Sequence, residues 1–343
     1  MAKNKEKIMN CRLGTVGGEA VLEGIMMKGK DGTMGVAVRK EDGDIVVVKE
    51  KHVSIRKKYK FLNLPIIRGV VGMVESFILS YKVLNISAEV YGLEEDSEPS
   101  KFEKWLDKKF GKNIMDIVMG IALVLGLVLA MGLFVFLPSL ITKGIEALVG
   151  SDLGLWKNVV EGIIKIAIFV AYLLLVSLMK DIRRTFQYHG AEHKSIFCYE
   201  AGEELTVENI KKFKRFHPRC GTSFLFVILI LSILIYSLPF ITWESVWMRM
   251  LIKLPMLPVI VGLGFEFIMF AGKHDNVVTR ILSAPGLWMQ RITTREPDDD
   301  QIEVAIIALK TALPEDFPDF VPPTEENLKK AKEESEEGEA END

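Results

Sequence analysis

Cysteine is scarce in this 343-residue chain, which has only Cys11, Cys198 and Cys220. Such an odd and sparse set argues against a disulfide-stabilised secreted fold and favours a reducing compartment. The net charge is −3, so composition gives no electrostatic basis for nucleic-acid binding. The first residues are charged and lack an apolar core, and therefore predict no signal peptide.

Aromatic residues are absent from the acidic stretch at 323–343. A segment of this composition cannot bury enough apolar surface to offset the entropy lost on ordering. The sequence therefore predicts a disordered acidic tail here.

Long apolar runs, in contrast, are plentiful. Four of them, at 117–141, 159–179, 223–241 and 254–271, approach the ~20 residues that cross a bilayer. A fifth stretch, 65–90, is interrupted by Arg68, Glu75 and Lys82, and predicts an amphipathic helix packed on the bundle or lying at the interface. The predicted fold is a mainly α membrane protein with about four transmembrane helices.

Lysine and arginine are distributed unevenly between the predicted spans. The segment at 101–112, the loop at 180–222 and the segment at 273–295 are rich in them, whereas the other two loops hold two each. Positive residues favour the cytoplasmic side. The pattern predicts a multi-pass membrane protein with both termini cytoplasmic, and with the lipid bilayer as its main partner.

The polar segments divide the chain further. Residues 1–62 are predicted to form a β-rich cytoplasmic unit, because 33–39 and 44–50 flank a Glu41-Asp42-Gly43 turn. An interfacial helical segment follows at 63–113, and a transmembrane bundle at 114–272 encloses the loop at 180–222. A cytoplasmic helical cap is predicted at 273–322. Helices are expected to begin at Thr206 and after the acidic run at 298–300.

The most specific motif is Tyr188-His189-Gly190-Ala191-Glu192-His193-Lys194. Two histidines four residues apart share one helical face, so both imidazoles can reach one metal ion. His-x-x-Glu-His is also an inverted zincin pattern, in which the glutamate acts as general base. The motif predicts His189 and His193 as ligands of a divalent ion, zinc first among them, and Glu192 as the catalytic base. The helix is expected to continue from the second span.

A catalytic metal site requires a third ligand. The candidates are two residues of the His-Pro-Arg-Cys segment and two residues near the end of the fourth span: His217, Cys220, Glu266 and His274. The alternative for the two motif histidines is a polar cluster hydrogen-bonded to carboxylates. Glu266 could instead pair with an arginine inside the bundle, and Cys220 could be a small buried residue.

Four blocks carry a resemblance to a known family: GGEAVLEGIMMKG (17–29), NLPIIRGVVGMVES (63–76), YHGAEHKSIFCYEAGEELTVENIKKFKRFHPRCGTSF (188–224) and PGLWMQRITTREPDDDQIEVAI (285–306). Together they resemble the YqhQ family of bacterial multi-pass membrane proteins over most of residues 14–313. The resemblance implies a metal-dependent enzyme of unknown substrate. It also suggests that the N-terminal β unit, the histidine loop and the Thr-Thr-Arg-Glu-Pro segment form one cytoplasmic cap.

Three functions are compatible with the sequence. The first is a metal-dependent membrane hydrolase acting on a lipid or membrane polypeptide at the inner face. The second is a non-enzymatic membrane-protein assembly factor, with a translocon or a second copy of the chain as partner. The third, a small-solute transporter, is the weakest, because the chain shows no internal repeat.

Overall fold

The computed structural model describes residues 12–92, 121, 124–126, 128–238, 246–271 and 276–328, which are mainly helical with one small sheet. The strands are β1 (Val16–Val21), β2 (Gly24–Gly29), β3 (Thr33–Arg39) and β4 (Ile45–Lys51). The helices are α1 (Ile67–Tyr91), α2 (Leu137–Val149), α3 (Lys157–Val176), α4 (Lys180–Glu200), α5 (Val207–Lys211), α6 (Gly221–Tyr236), α7 (Val246–Ala271), α8 (Val277–Thr293) and α9 (Asp299–Ala312). Single helical turns stand between some of these elements.

The sheet is an antiparallel meander in the order β1-β2-β3-β4. The predicted β3–β4 hairpin is confirmed, and Gly43 in its turn has a φ of +94°. The glycine-rich stretch before it forms β1 and β2, which the sequence analysis did not assign as strands. Its glycines allow strands to approach closely: a Cβ on Gly24 would lie 2.4 Å from the carbonyl oxygen of Ala37.

Both faces of the sheet are covered by helices. Leu79 and Val83 of α1 pack on one face. Tyr188 of α4 and Ile302 and Leu309 of α9 are fully buried on the other face. We call the sheet together with α4, α5 and α9 the cap, and its layered packing provides one apolar core on each side of the sheet.

The two helices predicted in the polar segments are present. Thr206 caps α5 by accepting a hydrogen bond from the Asn209 N–H, but this helix ends at Lys211 and does not continue towards Pro218. Asp298 and Gln301 form a capping box at the start of α9. The irregular chain after α5 carries two of the candidate ligands towards α6.

The prediction of one continuous helix from the second span into the histidine motif is wrong. Helix α3 ends at Val176, and Met179 has an extended ψ of 136° before α4 begins. The Ser177 carbonyl accepts a hydrogen bond from Arg295 Nη2 at 3.4 Å. The segment before α9 thus contacts the chain at the break between α3 and α4.

Within the part of the chain that the structure describes, three helices are long and apolar enough to cross a membrane: α1, the helical run Val124–Val149 and α3. The second and third correspond to the predicted spans at 117–141 and 159–179. The other two predicted spans correspond to shorter apolar helices, α6 and the segment Pro255–Ala271. With 16 residues, α6 is about 24 Å long, less than the ~30 Å hydrocarbon core. Helix α1 is the one that the sequence analysis assigned to the interface.

Helix α8 packs along α6, although the sequence analysis placed its residues in the cytoplasmic cap. The contact is close, since a Cβ on Gly286 would lie 2.9 Å from the Ser223 Cα. One turn later, Gln290 is fully buried against the chain that enters α6. Helix α8 therefore connects the bundle to the candidate site.

Candidate metal centre

Three potential ligand atoms converge between α4 and the start of α6. His189 and His193 lie one turn apart on α4, as their spacing predicts, and Cys220 is the residue immediately before α6. One donor atom from each of the three lies within 4.8 Å of the other two. His189 Nε2 is 3.2 Å from the Cys220 sulfur.

Backbone carbonyls fix the orientation of both imidazoles. His189 Nδ1 lies 2.8 Å from the carbonyl oxygen of Thr293, and His193 Nδ1 lies 2.5 Å from that of Arg215. A carbonyl can only accept, so each Nδ1 carries a proton, and Nε2 is the atom that has a lone pair when the imidazole is neutral. Metal-binding histidines are held in this manner in most proteins. The arrangement fits two Nε2 ligands better than it fits an ordinary polar cluster.

The donor set suits zinc. Tetrahedral bonds of about 2.0 Å to nitrogen and 2.3 Å to sulfur separate two ligand atoms by roughly 3.5 Å. Side-chain movements of about 1 Å would therefore bring the present donors to bonding distance. Imidazole and thiolate are ligands that zinc prefers, and three protein ligands leave a fourth position open for a water or a substrate.

Burial and charge act together on Cys220. Burial alone would raise its thiol pKa, but the neighbouring His189 and His193 lower that pKa well below its ordinary value. For His189, burial disfavours the charged imidazole, yet the sulfur of Cys220 and the carboxylate of Glu192 raise its pKa to about 9. The pair therefore favours a thiolate, which is the form of cysteine that binds metals.

Glu192 lies beside the three donors. Its side chain is buried, and its Oε2 has no hydrogen-bond partner among the residues that the structure describes. Burial raises its carboxyl pKa, against the opposing effect of His189 and His193. Strand β1 packs closely against this side chain: a Cβ on Gly18 would lie 2.9 Å from the Glu192 Cγ. A buried carboxyl group with an unused oxygen is suited to proton transfer.

The two remaining predicted ligands that the structure describes, His217 and Glu266, do not join this group. His217 is next to it, with its ring centre 5.4 Å from that of His193, but its Nδ1 accepts from the Arg219 N–H and its Nε2 faces Glu200 at 4.0 Å. Burial, followed by the charges of His193 and Arg219, lowers the His217 pKa to about 2. Its imidazole is therefore neutral and supports the loop.

Glu266 belongs to a separate contact, between α1 and α7. Its carboxylate accepts from Arg68 Nε at 2.6 Å and binds the Arg68 Nη2 as well. The arginine partnership that the sequence analysis kept as the alternative is the one observed. His274 lies outside the described residues.

Several residues that hold the site were not predicted from the sequence. Gln290 binds the backbone on both sides of the His217 peptide unit, accepting from the His217 N–H and donating to the His217 carbonyl, each at 2.7 Å. It thereby fixes the segment that carries Cys220. The Thr293 and Arg215 carbonyls have no sequence signature, because every residue has a carbonyl; only the Thr-Thr-Arg-Glu-Pro block pointed to this part of the chain.

A second carboxyl group, that of Glu19 on β1, also lies near the site. It accepts a hydrogen bond from the Ser80 hydroxyl at 2.7 Å. Burial raises its pKa, against the hydrogen bond from Ser80 and the charge of His189. In the sequence, Glu19 is marked only by its place in the block at 17–29.

Access to the donors is limited. A cavity of about 340 Å³ lies beyond the end of α4, against Arg12, Tyr199 and Asp316, and none of the three donors lines it. His193 and Cys220 are buried, whereas His189 is partly exposed.

The fold and the site define a mainly helical protein with candidate membrane-spanning helices and a small β-containing cap. A His-His-Cys cluster lies between helix α4 of this cap and the start of α6. A family model described as "Protein of unknown function (DUF1385)" matches residues 64–315. The "Uncharacterized protein YqhQ" of Bacillus subtilis (strain 168) is 34% identical over 298 residues, which cover 87% of this chain and 92% of that protein. No solved structure matches the chain. The chain belongs to the YqhQ family, as its sequence motifs predicted.

Proposed function

We propose that this protein is a zinc-dependent hydrolase of the bacterial inner membrane, acting at the cytoplasmic face on a lipid or a membrane polypeptide. The observation that carries the proposal is the orientation of the two imidazoles. Carbonyls of Thr293 and Arg215 hold the two Nδ1 atoms, so both Nε2 atoms are available beside the sulfur of Cys220.

The membrane location is supported by the surfaces of the long apolar helices. Only 12% of the most apolar part of Val124–Val149 and 11% of that of α3 are buried within the chain. Large apolar side chains such as Leu129 and Leu175 are exposed. Continuous apolar surface on helices of this length is typical of segments in contact with lipid.

The proposed chemistry is the addition of water across an ester or amide bond. A zinc ion held by His189, His193 and Cys220 would supply a polarised water with a pKa near neutrality and a positive charge for the carbonyl oxygen. Glu192 accepts one proton from the attacking water at its unused Oε2 and returns it to the departing oxygen or nitrogen. The water oxygen bonds to the carbonyl carbon as the bond to that leaving atom breaks, so no oxidant or reductant is required.

In the assembly-factor hypothesis, an intramembrane Glu266 and the cationic loop at 180–222 would together handle a polypeptide. Because Glu266 is bound by Arg68 in the contact between α1 and α7, that feature has a structural role. The hydrolase therefore accounts for more of the site, and the assembly factor remains the outcome to which a metal-free protein would point.

The test distinguishes the contribution of the zinc ion from that of Glu192 as the general base. We would reconstitute the zinc-loaded protein in bilayers of bacterial lipids containing membrane peptides, and follow the products by mass spectrometry beside Glu192→Gln. We expect the wild-type protein to release a cleaved lipid or peptide. The variant should keep its zinc and lose at least about 100-fold in rate, the size of a general-base contribution. Equal turnover by the variant, or no turnover by the zinc-loaded wild-type protein, would contradict the proposal.

A further inference from the structure

Helix α1 has two different faces. Its Leu79 and Val83 are buried against the sheet. The opposite face carries a row of exposed apolar side chains spaced by one, three or four residues: Val74, Phe77, Ile78, Tyr81 and Leu84. Among the described residues nothing covers this row. The helix therefore presents one continuous apolar surface directed away from the cap.

The covered face of α1 is polar at its margins. Ser80 donates to Glu19 on β1 at 2.7 Å, and Lys82 pairs with Glu50 on β4 at 2.5 Å. A small open sheet with such contacts cannot lie in hydrocarbon, where every exposed backbone group would lose its water partner. This part of α1 is therefore suited to lie along a bilayer surface, with the sheet in water and the apolar row in lipid, and not to cross.

A basic and aromatic segment leads into α1. Residues 53–64 read VSIRKKYKFLNL and carry four positive charges and no acidic residue. Arg56 is neutralised by Glu75 at 3.4 Å. Lys57, Lys58 and Lys60 are exposed, and none of them forms an ion pair with a described residue. The exposed rings of Tyr59 and Phe61 stand between them.

We propose that this surface, formed by Lys57, Lys58, Lys60 and the exposed row of α1, binds the anionic headgroups of bilayer phospholipids. It rests on the membrane location argued under Proposed function. Unpaired lysines next to exposed aromatic and aliphatic side chains match the boundary between charged headgroups and acyl chains. A nucleic acid would leave the apolar row in water, which is why the lipid is the better occupant.

The experiment compares lipid binding to the purified full-length protein in detergent. Phosphatidylglycerol or phosphatidylcholine is titrated in, and the bound lipids per chain are counted by native mass spectrometry. The test variant is Lys57→Gln/Lys58→Gln/Lys60→Gln. The control, Lys49→Gln/Lys51→Gln/Lys214→Gln, removes the same charge from exposed lysines, of which Lys49 and Lys51 lie on the face of β4 opposite to α1.

We expect the wild-type protein and the control to prefer phosphatidylglycerol, and the test variant to bind it at least about tenfold more weakly, since each basic residue near an anionic surface contributes up to roughly fivefold. Equal binding by both triple variants, or no headgroup preference in the wild-type protein, would overturn the proposal. The zinc content of each sample is measured in parallel. Wild-type protein that holds zinc but shows no headgroup preference would refute this surface alone, and wild-type protein that prefers phosphatidylglycerol but holds no zinc would refute the hydrolase alone.

Discussion

At the scale of single residues, the thiol of Cys220 distinguishes two interpretations of the cluster, a metal site and a polar cluster. Its sulfur lies 3.2 Å from His189 Nε2 and 3.1 Å from the Thr222 hydroxyl. If it binds a metal, cobalt substitution should give a sulfur-to-metal charge-transfer absorption, and Cys220→Ser should abolish that band. Cys198→Ser is the matched control, because this buried cysteine lies near the Glu204 carbonyl, away from the cluster. A band that survives Cys220→Ser would exclude the sulfur as a ligand.

Glu19 provides a test of electrostatics by pH. Burial raises its pKa above 4.5, so the ionised carboxylate costs stability above that pH, and the cost disappears at low pH where both folded and unfolded chains are protonated. We expect Glu19→Gln to raise the thermal midpoint at pH 7 and to converge with the wild-type protein as the pH falls below 4.5.

The control for this experiment is Glu315→Gln, an exposed carboxylate on the cap, which should leave the midpoint unchanged across the same range. A Glu19→Gln protein that melts lower than wild type at pH 7 would show that the charge on Glu19 stabilises the fold. Thermal unfolding in detergent, followed by circular dichroism at several pH values, measures both variants.

The sequence predicted the two histidines and Glu192 together because a helix brings residues three and four apart onto one face. It could not select Cys220 from the other third-ligand candidates, since a residue 27 positions after His193 reaches the cluster only through the turn that Gln290 holds. Nor could it show that Glu266 is paired with Arg68, which lies 198 residues away.

At the scale of elements, the docking of α4 on the segment after α8 holds the site together. The contact is close at Gly190, where a Cβ would lie 2.0 Å from the carbonyl oxygen of Arg295. The same segment supplies the Thr293 carbonyl to His189. A larger residue at 190 must push this segment away and weaken the orientation of the imidazole.

We therefore expect Gly190→Ala to destabilise the fold by about 2 kcal/mol or more and to weaken zinc binding. Gly144→Ala is the control, since a Cβ at Gly144 in α2 has nothing within 4 Å and alanine favours helix by up to about 1 kcal/mol. Thermal midpoints and zinc titrations measure both effects. A Gly190→Ala protein with unchanged zinc affinity would contradict the role given to this contact.

Elements differed in how well the sequence predicted them. Helix α9 and the β3–β4 hairpin were predicted because capping residues and a turn glycine mark their ends. Strands β1 and β2 were missed, because neither shows the alternation that identifies a strand: β1 contains two glycines, and β2 is buried along almost its whole length. The break between α3 and α4 was also missed; there the Ser177 carbonyl is bound by Arg295, from a distant part of the chain.

At the scale of the whole molecule, the account requires the cap and the connection between α2 and α3 to lie on opposite sides of the membrane. Asp42 at the hairpin tip and Asp152 between α2 and α3 are both exposed. With a membrane-impermeant maleimide on intact cells, we expect Asp152→Cys to react and Asp42→Cys to react only after lysis. The parent protein serves as the blank for the native cysteines. Labelling of Asp42→Cys in intact cells would contradict this orientation and place the cap on the outer side of the membrane.

The candidate membrane-spanning helices could be predicted from the length of the apolar runs, whereas the arrangement of the helices could not. Apolar runs identify candidate spans in any context, but a run that is long enough can still serve another purpose. Helix α1 meets the length and hydropathy of a span, yet half of it packs on the sheet. Only the contact between helix and sheet distinguishes these possibilities, and it joins residues far apart in the sequence.

The most direct test of the central claim is the metal content of the purified protein, measured by inductively coupled plasma mass spectrometry without exposure to chelators. The account predicts about one zinc ion per chain in the wild-type protein and its loss in His193→Ala. Wild-type protein with no stoichiometric metal would contradict the metal centre and the hydrolase built on it.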